Sequence, residues 1–156
     1  MKANTIVNKA LSFVGVKESP TNSNNVRFNT DYDGRTVSGS EYPWCCVFVW
    51  GVFKMCNASP LFYGGKKTAS CTTLMNWAKS VGKWHTSGYK HGDVVLYKFT
   101  KKTGADHVGI VYKVCDGYVE AIEGNTSPDK KGEQSNGGMV YIKKRTYDLI
   151  LGVVQT

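Results

Sequence analysis

Two adjacent cysteines, Cys45 and Cys46, stand where a polar stretch gives way to the apolar run Trp44–Phe53. If that run is a helix, both thiols sit at its N-terminus, where the positive end of the dipole favours the thiolate. Such positions lower a cysteine pKa from about 8.5 toward 7 or below, and the thiolate is the nucleophile of covalent amide hydrolysis. The plainer role for both is that of small buried apolar residues. Successive helical residues point about 100° apart. One thiol can therefore face a cleft while the other packs inward, and geometry alone does not say which.

A thiolate nucleophile needs a base, and the chain has three histidines. His107 opens the alternating segment HVGIVYKV on the same side as Gly109, whose missing side chain leaves room for a close approach. That suits a general base, or else a solvated strand-end histidine. Glu123-Gly124-Asn125 closes the next apolar segment, and a carboxylate or amide there can fix an imidazole tautomer. Glu120 falls on the opposite face of that segment. His85 and His91 flank a turn-like stretch with no common metal spacing and read as surface residues. Asp31-Tyr32-Asp33-Gly34 fails the spacing of a calcium loop and reads as an Asp-Gly turn.

The elements that must position these residues change character along the chain. Ile6, Val7, Ala10, Leu11 and Val14 recur at helical spacing, with Asn4 as cap and Gly15 as terminator. Glu18 to Glu41 is polar and reads as a long surface loop with one short turn. Trp44–Met55 is apolar nearly all round, which predicts a buried helix. Thr72–Val81 predicts another, with Leu74, Trp77, Ala78 and Val81 as its stripe. From Asp93 the period becomes that of strands: one around Val94–Phe99, then His107–Val114. An Asp116-Gly117 hairpin turn leads to Tyr118–Ile122, and Met139–Lys143 and Leu149–Val154 follow. Gly124 to Gly138 reads as a loop. Helices first and antiparallel strands second make the fold class α+β, and the single domain fills residues 1–156.

Composition bounds the possibilities. The chain has 156 residues, 41% hydrophobic and 21% charged, an ordinary globular mix. No apolar run approaches the roughly 20 residues of a membrane span, and the N-terminus has no signal-peptide core. Lys plus Arg number 20 against 12 Asp plus Glu, a net +8. That favours an anionic partner such as nucleic acid, anionic lipid or an anionic wall. The basic clusters Lys66-Lys67, Lys101-Lys102, Lys130-Lys131 and Lys143-Lys144-Arg145 are scattered, more a diffuse basic surface than a nucleic-acid groove. Five cysteines, an odd number with no C-x-x-C pair, argue against a disulfide framework or zinc knuckle and for synthesis in a reducing compartment.

Three segments together resemble the CHAP family of cysteine, histidine-dependent amidohydrolases and peptidases. Pro43-Trp44-Cys45-Cys46-Val47-Phe48-Val49 is similar to its nucleophile helix. Gly92-Asp93-Val94-Val95 and Asp106-His107-Val108-Gly109-Ile110-Val111 are similar to its paired strands, and Ile122-Glu123-Gly124-Asn125 to its E-x-N segment. The likeness runs in order from about Ala3 to Val154. It is nearest to single-domain units of phage and prophage endolysins, whose loop before the nucleophile resembles Ser23–Asn29. The resemblance implies a papain-like fold with N-terminal helices on an antiparallel sheet. It implies Cys45 as nucleophile, His107 as base, Glu123 as the residue that orients it and Asn125 as a further polar contributor.

It further implies a peptidoglycan hydrolase, an N-acetylmuramoyl-L-alanine amidase by preference, with a peptide or cross-bridge endopeptidase and an inactive wall-binding module as alternatives. No cofactor or metal is expected. Some members bind calcium before the nucleophile, but Asp31 and Asp33 lie farther upstream than those ligands. The expected partner is Gram-positive peptidoglycan, with no nucleic acid or membrane partner. The expected state is a monomer, made in the host cytoplasm without a signal peptide and acting on the wall after release.

Overall fold

A computed structural model describes residues 2–128 and 138–156. Four helices precede and pack against one six-stranded antiparallel sheet. Helix α1 (Lys2–Leu11) buries Ile6, Val7 and Ala10, as its spacing predicts. Asn4 lies inside the helix rather than capping it. Helix α3 (Cys45–Met55) is the central helix, and every residue from Cys45 to Phe53 is buried. Helix α4 (Cys71–Ser80) starts at a true cap: Ser70 Oγ accepts the Thr73 N–H at 3.1 Å. Its stripe differs from expectation at one end, where Val81 is exposed just past the helix.

The segment expected to be a surface loop is not one. Residues 18–41 contain helix α2 (Arg27–Asp33) and contribute Val26, Phe28 and Val37 to the core. Asparagine side chains replace a regular backbone ladder there. Asn29 Nδ2 donates to the carbonyls of Asn24 and Tyr42, both at 2.9 Å, and Asn24 Nδ2 donates to Gly39 O. The polar composition that suggested a loop is an internal scaffold, since buried polar groups persist when hydrogen-bonded. Phe28 then stacks on Trp44 and meets Phe48 edge-on, which seats α2 against the start of α3.

The strands are β1 (Trp84–His85), β2 (Val94–Tyr97), β3 (His107–Val114), β4 (Tyr118–Thr126), β5 (Met139–Thr146) and β6 (Ile150–Val154), in the spatial order β1-β6-β2-β3-β4-β5. The short β1 carries no apolar alternation and was not legible. The structure extends β4 through Gly124-Asn125-Thr126 and β5 to Thr146, so the expected loop starts later. The rest of that loop, with Lys130-Lys131, lies outside the described residues. One face of the sheet, with Val94, Leu96, Val108, Ile110 and Ile122, packs on the helices. The other, with Val95, Tyr97, Val111, Ala121 and Val153, is covered by Tyr89, Phe99 and Ile150. Strand β2 is therefore buried on both sides, the usual reason for an unbroken apolar run. Among the described residues no helix is long and apolar enough to cross a membrane.

Candidate active site

Cys45 and His107 are the first residues of α3 and β3, and the two meet. Cys45 retains 6% of its surface, while Cys46 is fully buried and packs inward. Of the two adjacent thiols, the one that keeps some access is the one beside the histidine. Pro43 precedes the helix, and Trp44, its cap residue, offers no side-chain bond to the free N–H groups. The first helical bond runs from Phe48 N–H to Trp44 O. The amides at the helix start are thereby left to other acceptors. Trp44 is pinned by its indole Nε1–H, which donates to Glu18 Oε2 at 2.9 Å.

His107 is wholly buried, stacked on Tyr97 and tilted against Phe99. Its Nε2 is 2.9 Å from Glu123 Oε1. Nδ1 has no hydrogen-bond partner and is the nitrogen left for the thiol. Glu123 in turn accepts two bonds from Arg145, Nε to Oε2 at 2.9 Å and Nη2 to Oε1 at 2.6 Å. The Arg145 guanidinium lies over the rings of Tyr97 and Phe99, 5.2 and 4.8 Å from their centroids.

Two glycines make this packing possible. A Cβ on Gly109 would stand 2.8 Å from Glu123 Cγ, so the approach that this glycine was expected to permit is that of the carboxylate. A Cβ on Gly124 would stand 2.5 Å from Phe48 Cβ, so that glycine lets the end of β4 close on α3. Asn125 is fully buried two residues on, in a left-handed conformation (φ 55°) where the β4–β5 register shifts. Asparagine tolerates that backbone better than most residues.

The electrostatics follow from burial opposed by neighbours. Burial alone would lower the His107 pKa. The Glu123 carboxylate outweighs it, Cys45 adds to the same effect, and the imidazole is raised to about 9. Burial would raise Glu123, but His107 and Arg145 hold it at about 2. Contrary to the lowering expected at a helix start, the Cys45 thiol is pushed well above its ordinary range by its contact with Cys71 and by burial, which outweigh the downward pull of His107. The result is an ionised carboxylate, an imidazole that it makes unusually basic, and a thiol that burial and Cys71 hold protonated beside it.

The sequence reading missed several contributors. Arg145 was grouped with surface lysines, yet it is 3% exposed and Lys143 is also buried, with Nζ donating to Ser127 O at 2.8 Å. Period-two alternation puts residues 143 and 145 on one face of β5, a signal that was available. Cys71 stood outside every motif, yet its sulfur lies 3.7 Å from that of Cys45. Gly92-Asp93 is structural: Gly92 lies against Ala3 of α1, and Asp93 accepts the Lys90 N–H at 2.9 Å. His85 and His91 are exposed, and so are Asp31 and Asp33 on α2. Among the described residues no three acidic, histidine or cysteine side chains gather as a metal site.

In class this is a papain-like α+β protein with a cysteine at a helix start and a histidine at a strand start. The family is narrower than that class. Residues 37–125, more than half of the chain, match the CHAP domain, and the chain belongs to the CHAP domain family. The matched stretch takes in Cys45, His107, Glu123 and Asn125. The fold is similar to the crystal structure of Ly7917, with a TM-score of 0.57 and 15% sequence identity. That likeness covers 99% of this chain and 62% of the other, so this chain spans less than two thirds of that protein's length. No curated protein matches the chain.

Proposed function

We propose that the chain is a cysteine-dependent peptidoglycan hydrolase of the endolysin type, and within that class an N-acetylmuramoyl-L-alanine amidase. The observation that carries the reading is the order Cys45, His107, Glu123, with a free imidazole nitrogen toward the thiol and a 2.9 Å bond to the carboxylate behind it. His107 Nδ1 takes the Cys45 proton, and the thiolate attacks an amide carbonyl of the wall peptide. The tetrahedral oxyanion forms beside the uncapped N–H groups at the start of α3, and a donor of that kind is worth about 100-fold or more in rate. The imidazolium then protonates the leaving amine. Water, deprotonated by the same ring, hydrolyses the thioester. Glu123 holds the tautomer throughout, and Arg145 holds Glu123.

The test is loss of turbidity of purified Gram-positive walls. Wild type and Cys46→Ala, if the latter folds, are expected to clear the suspension, and Cys45→Ala to leave it turbid. Clearing by Cys45→Ala overturns the mechanism. Mass spectrometry of the digest reads the bond: free N-terminal L-alanine supports the amidase, and new termini within the peptide or bridge replace it with an endopeptidase.

A further inference from the structure

Cys71 is a buried nucleophile beside the site that the proposed reaction does not use. It is the first residue of α4, as Cys45 is the first of α3, so two helix N-termini bring their leading thiols together. The sulfurs are 3.7 Å apart. A disulfide spans about 2.05 Å, so less than 2 Å of sulfur movement separates contact from bond. The placement of Cys71 is well defined. Ser70 caps its helix, and the following Thr72 Oγ1 accepts the Ala105 N–H at 3.0 Å, tying α4 to the loop that leads into His107.

Access distinguishes the three thiols here. Cys45 and Cys71 retain 6% and 8% of their surface, and Cys46 none. Cys46 follows Cys45 in one helix, where neighbours diverge by about 100°. A bond between them would break the helix start.

We propose that Cys71 is a resolving cysteine, and that peroxide converts Cys45 and Cys71 into a disulfide that closes the site until a thiol reductant reopens it. The proposal rests on Cys45 being the nucleophile. In the first step the Cys45 thiolate attacks one peroxide oxygen. The O–O bond breaks, the sulfur is oxidised to sulfenic acid, and the other oxygen leaves as hydroxide and takes up a proton to become water. In the second step the Cys71 sulfur attacks the Cys45 sulfur. The S–S bond forms, the S–O bond breaks, and the departing hydroxide combines with the Cys71 proton as a second water. Two thiols and one peroxide give one disulfide and two waters. The bond removes the nucleophile and also shields it from irreversible oxidation to sulfinic acid.

The experiment treats the reduced full chain with hydrogen peroxide and reads peptide mapping without reductant alongside wall clearing. Wild type is expected to lose two hydrogens in mass and to give a Cys45–Cys71 crosslinked peptide. Clearing should fall by about tenfold or more and return with dithiothreitol. Cys71→Ala and Cys71→Ser, each compared with its own untreated clearing, are expected to carry sulfinic acid on Cys45 and not to recover. The proposal is overturned if wild-type Cys45 reaches sulfinic acid without the crosslink. It is equally overturned if the only disulfides join other cysteines, or if both variants recover as wild type does. Should the crosslink form in a chain that clears no wall when reduced, the disulfide stands and the hydrolase reading fails.

Discussion

Glu123 carries two partners at once, and each has a separable consequence. The His107 imidazole, held at about 9, stabilises the fold fully below its ordinary pKa near 6.5, and that stability is lost as pH rises through about 9. Glu123, held at about 2, contributes stability above its ordinary pKa near 4.5 that is lost as pH falls through about 2. Thermal melts should therefore show a decline running from about pH 6.5 to about pH 9 that His107→Ala lacks. Wall clearing should instead rise toward pH 9 while the fold holds, because only the neutral imidazole can take the Cys45 proton that it later gives to the leaving amine. Arg145→Met leaves a buried carboxylate with one charged partner fewer, which typically costs about 3–5 kcal/mol. Its acid unfolding should begin at higher pH than in wild type, and chemical denaturation across pH 2–5 reads that shift. An unchanged acid limb would show that Arg145 does not hold Glu123 ionised.

The elements meet at contacts where a single methyl group is too much. Gly124 faces Phe48 and Trp44, and Gly109 faces Glu123. Overpacking a well-filled interior typically costs about 1–3 kcal/mol. Gly124→Ala is expected to lower the urea midpoint by pushing β4 off α3. Gly109→Ala displaces the carboxylate itself, so it should cost more activity than stability, and its alkaline limb should move to lower pH as Glu123 support weakens. Equal losses in stability and activity for both variants would contradict this division. These contacts also explain what the sequence could reveal. The periodicity of α1, α3 and β3 is legible because their burial repeats with the element. Helix α2 was hidden because asparagine side chains do the work of backbone bonds there. Arg145 was hidden because a guanidinium in a run of lysines looks like surface charge until β5 is seen to bury one of its faces. The pairing of Cys45 with Cys71 joins two elements with no local pattern between them.

At the scale of the whole molecule, the chain carries a net charge of +8. If attraction to an anionic wall aids catalysis, raising salt should slow the clearing of intact walls and spare the cleavage of a small neutral wall peptide. The field is screened beyond about 8 Å at physiological ionic strength. Equal salt sensitivity on both substrates would remove long-range attraction as the cause. The strand order has a different consequence, one concerning time. Residues 150–154 leave the ribosome after every other strand, yet β6 lies between β1 and β2. Until it arrives, β2 presents an unpaired edge, Asp93 lacks the Thr156 N–H, and Gly92 O lacks the Thr156 hydroxyl, bonded at 2.8 Å in the folded chain. Vectorial synthesis thus delivers the nucleophile, base and carboxylate early and withholds the strand that completes the sheet beneath them. A nascent chain stalled before Ile150 should remain protease-sensitive from Asp93 onward, and emergence of residues 150–156 should protect it in one step.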